Sequence, residues 1–187
     1  MWMDILILGH LTHGPAHGYE IKRRVGRSIG VTHLLNNNVL YPALRRFEEM
    51  GAVTSELVPQ QGSPPRRVYE MTEAGHEVLR ALLEDFPPEQ ATSEEFNVRI
   101  GYFHLLDPRS RLEILQRRAT AVRGQLDHLR SAVHLVEEGT QTYARGLVEF
   151  LIDQQEGELD FIERLAEDER MALHPPYPDP PPPGGRE

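Results

Sequence analysis

Apolar positions recur along this chain with more than one period, and the changes of period mark its organisation. Trp2, Ile5, Leu6 and the segment 8–11 predict a first helix. It ends at Gly14-Pro15, because glycine leaves the helical basin and proline restricts the residue before it. A second helix is predicted from Tyr19 to about Val25, with Gly26 and Gly30 bracketing a loop. In the third, Leu40, Ala43, Leu44 and Phe47 take the i, i+3, i+4, i+7 spacing of one buried face, while Asn37, Asn38, Tyr41, Arg45 and Arg46 make the other face polar. Pro42 lacks an N–H and crowds the carbonyl four residues back, so it fits best in a first turn. That places the helix start near Asn38, with an asparagine as cap.

Beyond Gly51 the period shortens. Val53 to Val58 and Arg67 to Met71 read as strands joined through Gly62-Ser63-Pro64-Pro65-Arg66-Arg67, a hairpin with a basic tip. Thr72 then caps a fourth helix through about Leu83, and Phe86-Pro87-Pro88-Glu89 reads as a linker.

The second half is helical. Asp107-Pro108 supplies a cap and a first-turn proline, and Leu112, Leu115, Ala119, Val122, Leu126, Leu129, Val133 and Val136 follow at 3,4 spacing. A further helix repeats the pattern with Tyr143, Leu147, Phe150, Gln154, Gly157, Phe161 and Arg164, widened by Leu151, Ile152, Leu159 and Ile162. Two antiparallel helices cannot bury that much apolar surface alone, so a homodimer is expected. Leu112, Leu115, Ala119, Val122, Leu126, Leu129, Phe150 and Phe161 are its candidate contacts; a bundle within one chain is the alternative. From Pro175 onward the proline content predicts an extended tail. The expected organisation is a mainly α chain with a small β-hairpin wing. A winged helix-turn-helix spans 1–85, a linker 86–92, a helical dimerisation domain 93–170 and a tail 171–187.

Composition narrows the chemistry. With no cysteine among 187 residues, disulfides and thiolate metal sites are excluded. The apolar opening carries Asp4 and is too short to span a bilayer, so a core helix and a cytoplasmic protein are expected, with no membrane partner. The net charge of −9 argues against nucleic acid until it is divided: residues 1–75 hold 8 basic and 7 acidic side chains, and the acidic excess lies beyond them. Acids farther off than a Debye length of roughly 8 Å are largely screened, so the first domain can still bind double-stranded DNA.

On the third helix Asn37 and Asn38 match the edge of adenine, and Arg45 that of guanine or a phosphate, with Arg46 beside it. Arg66 and Arg67 on the hairpin would reach backbone or minor groove, and Lys22 and Arg23 on the second helix are candidate phosphate contacts. His10, His13 and His17 invite a metal-responsive reading, but Gly14-Pro15 interrupts the helix between them, so no metal or cofactor is expected. No nucleophile elbow, phosphate-binding glycine loop or His-Glu-x-x-His is present, and the chain does not read as an enzyme. A helical protein-interaction module without DNA readout is the remaining alternative.

Three stretches carry a family resemblance: residues 7–25 around Gly-Pro-Ala-His-Gly-Tyr, residues 36–53 around Leu40-Tyr41-Pro42, and residues 66–75 ending Thr-Glu-Ala-Gly. In these the chain resembles the PadR family of bacterial transcriptional regulators, and its second half resembles the family's longer, Vir-like helical domain. The resemblance implies a winged helix-turn-helix with a C-terminal helical dimerisation domain. It further implies a homodimeric repressor of a pseudo-palindromic operator, released by a small-molecule effector. By the same resemblance Tyr41 would donate its hydroxyl to a phosphate and His17 would be structural. Trp2, Phe96, Tyr102 and Phe103 are aromatic candidates for lining an effector cavity, with core packing as the alternative. Two departures fall where specificity is read: Asn36, Asn37 and Asn38 stand where the family has small residues, and Pro64 where a basic one is common.

Overall fold

The computed structural model describes residues 2–27, 35–60, 62–133 and 142–174. Gly30, Val136 and the proline-rich tail lie outside them. The chain divides into two compact units, 1–106 and 107–187.

The first unit is built around α1 (Trp2–Leu11), whose Ile5, Leu6, Ile7, Leu8 and Leu11 are all buried. Each such side chain contributes about 1.5–3 kcal/mol by leaving water. This helix is apolar around most of its circumference, and α2 (Gly18–Val25), β3 (Ser63–Met71), α4 (Glu73–Glu84) and α5 (Ser93–Ile100) all pack on it. β1 (Ala16–His17), β2 (Val53–Gln60) and β3 form an antiparallel sheet in the order β1-β3-β2. A 13-residue helix, α3 (Asn37–Glu49), buries Leu40, Ala43, Leu44 and Phe47, the face expected from its spacing. Mostly helical with one small wing, the unit is a winged helix-turn-helix.

The hairpin is longer than its alternation suggested. Its turn contains Gly62, at φ 72°, and Arg66 and Arg67 pair with Val58 and Leu57 in the body of the ribbon rather than at its tip. Pro59 has no N–H to offer the ladder, and the register shifts between Val58 and Gln60. At its base, Thr72 caps α4 by accepting from the Gly75 N–H at 3.1 Å and donates to the Gly51 carbonyl at 2.6 Å. Gly75 is required there, since a Cβ would stand 2.1 Å from the Ala52 carbonyl oxygen.

The boundary between the units falls at Leu106/Asp107 instead of 86–92. Phe86, Ala91 and Phe96 are buried and α5 packs on α1, so the segment that reads as a linker closes the first core.

The second unit is a hairpin of α6 (Pro108–Val133) and α7 (Thr142–Leu173); the latter runs three residues past the expected start of the tail. Arg111–Glu169 at 2.8 Å and Arg130–Glu156 at 2.6 Å bind opposite ends of α6 to α7, so the two run antiparallel. Leu115, Ala119, Val122 and Leu126 are buried in the single chain, with Leu112 and Leu129 half-buried. This corrects their expected role: the α6 seam is covered without a second copy. Arg118, 1% exposed, lies in the same seam, with its Nε and Nη2 donating to Glu158 Oε1 at 2.8 and 2.6 Å. On α7 the buried residues are Ile162 and Ala166. Tyr143, Leu147, Phe150 and Phe161 instead form an exposed stripe, and a Cβ on Gly157 in that stripe would meet nothing.

Candidate nucleic-acid interface

The exposed face of α3 is set by its first turn. Asn36 is the N-cap: its Oδ1 accepts from the Val39 N–H at 3.1 Å, so helix begins at Asn37, one residue before expectation. Pro42 therefore sits in the second turn and leaves the Asn38 carbonyl without its i+4 donor. Both residues are exposed, where water can serve that carbonyl. Because Asn36 does the capping, Asn37 and Asn38 keep their amides for other partners. Tyr41 and Arg45 follow on the exposed side.

The wing is fastened against this helix. Glu48 accepts from the Ser55 hydroxyl, Ser55 Oγ accepts from Arg67 Nη1 at 3.1 Å, and Arg67 stands 3.6 Å from Glu48. Tyr69 lies at the same junction. Its phenol is held above the usual range mainly by burial, with Glu48 and Tyr41 adding to the rise and Arg67 and Arg45 opposing it.

α2 closes the third side. β1 pairs with β3 in the register Ala16↔Tyr69 and His17↔Val68, which brings the start of α2 beside the wing. His17 caps α2, its Nδ1 accepting from the Glu20 N–H at 3.2 Å. A Cβ on Gly18 would come within 2.9 Å of the Tyr41 ring, so glycine lets α3 approach α2 and sets where the Tyr41 hydroxyl stands. His17, Gly18, Tyr19, Glu20, Arg23, Tyr41, Arg66, Arg67 and Tyr69 line one open groove of about 560 Å³.

The groove thus gathers Arg23, Tyr41, Arg66 and Arg67, with Asn37, Asn38 and Arg45 exposed on α3. Phenolic and guanidinium donors from three elements on one face can grip an anionic backbone while the amides of α3 read an edge. Two candidates fall aside. Arg46 donates to Asp4 at 2.6 Å and stacks 5.1 Å over Phe47, tying α3 to α1, and Lys22 is exposed but does not line the groove. Spacing drew attention to His17 only as a metal candidate and did not point to Tyr19 or Tyr69; the β1–β3 pairing brings the start of α2 to this groove.

His10 and His13 rings lie 6.4 Å apart, His17 Nδ1 is used by the cap, and no metal-holding group of three His, Cys, Asp or Glu occurs among the described residues. Burial, reinforced by His13 and Arg24, pushes the His10 imidazole down to about 4. The aromatic effector candidates are packed in the first core. Phe96 meets Phe103 edge-on at 6.3 Å and Phe86 at 6.5 Å, and Tyr102 lies against Gly9, its hydroxyl pushed up to about 12 by burial. Trp2 is half-buried.

Comparison with known proteins bears on the same segment. Residues 7–81 match the transcriptional regulator PadR-like family. A probable transcriptional regulator of Mycobacterium tuberculosis is 34% identical over 83 residues, which span 44% of this chain and 44% of that protein's length. Among solved structures, Bacillus subtilis PadR in complex with operator DNA aligns at 15% identity and a TM-score of 0.42, over 89% of this chain and 98% of that one. The same protein with p-coumaric acid aligns at 15% and 0.40, over 91% and 99%.

Proposed function

We propose that this chain, whose first domain is that of the PadR-like family of transcriptional regulators, binds double-stranded DNA sequence-specifically as a homodimeric repressor. The observation that carries the reading is the junction of α3 and wing. Asn37, Asn38, Tyr41 and Arg45 stand exposed on a helix of major-groove dimensions, beside a ribbon bearing Arg66 and Arg67. Asn37 and Asn38 pair with adenine, Arg45 with guanine or phosphate, Tyr41 and Arg23 with phosphates, and the wing arginines with the flanking backbone.

Dimerisation is supported by the α7 stripe. Tyr143 is 95% exposed and Phe150 60%, and contiguous apolar surface of that kind on a lone protomer marks an association site. Of the contacts expected from the heptads, Phe150 and Phe161 are the ones free to meet a second copy. The paired half-sites make the operator pseudo-palindromic. Release by a small-molecule effector belongs to the same proposal; of the aromatic candidates Trp2 is the one left half-buried, and it is the residue such a ligand would meet.

Selection of bound sequences from random duplexes tests the reading. A two-fold enriched site is expected, and Arg45→Ala should relax preference at one base step; recovery of no enriched palindrome overturns it. Light scattering should give a dimer that Phe150→Glu converts to monomer.

A further inference from the structure

The side chains between α2 and the wing hold a conflict that no protonation state of His17 resolves within the chain. Its Nδ1 faces the Glu20 N–H at 3.2 Å, and its Nε2 faces Arg66 Nη1 at 3.3 Å. Both neighbours are donors, and a guanidinium has nothing else to offer. A neutral imidazole carries one lone pair and one N–H; a protonated one carries no lone pair. One of the two contacts is therefore always donor against donor. The backbone contact is the cap of α2, made by a residue in the extended conformation that caps require (φ −86°, ψ 156°), so Nδ1 keeps the lone pair and Nε2 carries the proton. What remains is an Nε2–H and an Nη1–H standing side by side at the mouth of the groove, with Arg23, Arg67 and Tyr41 on its other walls.

Two donors 3.3 Å apart that cannot bond each other are placed to share one acceptor. We propose that His17 and Arg66 together grip a single phosphate oxygen, His17 acting as a phosphate ligand as well as a helix cap. The ligand chemistry is a phosphate, and its source is the DNA backbone, a choice that rests on the function proposed above. Charge favours an anion here. Glu20, the acid lining the groove, is already paired with Arg24 at 2.6 Å, and the three groove arginines contribute net positive potential. The grip spans two elements, α2 through its cap and the wing through Arg66, so one phosphate would fix both against the duplex.

His17→Ser separates the two jobs, because serine caps as well as histidine does but has no donor at the Nε2 position. With the selected duplex, His17→Ser should bind about tenfold more weakly per protomer at an unchanged melting temperature, the loss expected for one hydrogen bond to a charged acceptor. Its dependence of affinity on salt should match wild type, because neutral histidine displaces no counterion, whereas Arg66→Ala should lower that slope by about 0.9 per protomer. The double variant should lose less than the product of the single losses, as two groups on one oxygen must. Long-range nitrogen NMR should find the proton on Nε2 and see that signal shift with duplex but not with millimolar inorganic phosphate. Equal affinity of His17→Ser and wild type, strictly multiplicative losses, or a proton on Nδ1 each overturn the clamp while leaving DNA binding intact; a shift with inorganic phosphate alone overturns its assignment to the DNA backbone. Failure of wild type to bind any duplex overturns both.

Discussion

Removing the Glu158 carboxylate isolates the cost of a buried charge. Arg118 is 1% exposed, and two of its nitrogens converge on one oxygen of Glu158 at 2.6 and 2.8 Å. With charge centres roughly 4 Å apart and an effective dielectric constant of about 20, the attraction is about 4 kcal/mol. Glu158→Ala forfeits that attraction and leaves a guanidinium in the seam, so the hairpin should lose about 3–5 kcal/mol. Arg130–Glu156 is the control within the same hairpin. At the same 2.6 Å separation its side chains are 54% and 49% exposed, and Glu156→Ala should cost about 0–1 kcal/mol. Hydrogen exchange read by mass spectrometry over α6 and α7 resolves the two, since 1.4 kcal/mol is a tenfold change in opening. Exchange should rise by about two to three and a half powers of ten in Glu158→Ala and by less than one in Glu156→Ala. The pair Arg118→Met with Glu158→Leu should recover most of the loss, because apolar groups of similar size carry no desolvation penalty. Equal exchange in the two alanine variants would refute the reasoning.

Gly75→Ala should destabilise the first unit by about 1–3 kcal/mol or more in urea unfolding, since the new methyl meets the Ala52 carbonyl, a backbone atom that cannot swing away. A change under about 0.5 kcal/mol would mean that the α3–β2 turn yields freely. His10 predicts an acid-sensitive stability. The unfolded chain takes up a proton near pH 6.5 and the folded chain only near 4, so stability is full above 6.5 and falls as pH drops through that window. His10→Gln should flatten the melting temperature between pH 6.5 and 4; an unchanged slope would assign it to other groups.

Much of the first unit was legible because its signals are local. The 3,4 spacing of Leu40, Ala43, Leu44 and Phe47, the Thr72 cap and the alternation after Gly51 each act within a few residues. What was misread depends on contacts distant in sequence. Pro87-Pro88 looks like a linker until Phe86 and Phe96 are seen in one core. A heptad reports that a stripe will be covered but not by what, so the α6 seam looked intermolecular although the chain itself covers it. Pro42 was placed by its own preference, but Asn36 caps one residue earlier. In the candidate interface, the arginines and Tyr41 were legible as cations and a donor on exposed faces. The part played by His17 was not, because it arises from pairing with Val68, about fifty positions away.

Gly51 and Ala52 join α3 to the wing, and Thr72 and Gly75 bolt the far strand of that wing to the same two residues. Helix and ribbon therefore share one footing, and neither can tilt without carrying the other. In the proposed complex, the spacing along a duplex between what α3 would touch and what the ribbon would touch is like the gap between the pins of a plug: fixed in manufacture, not adjusted in use. A site with that interval stretched by one base pair should be refused outright rather than bound weakly, and any signal that loosens the grip must turn the whole head.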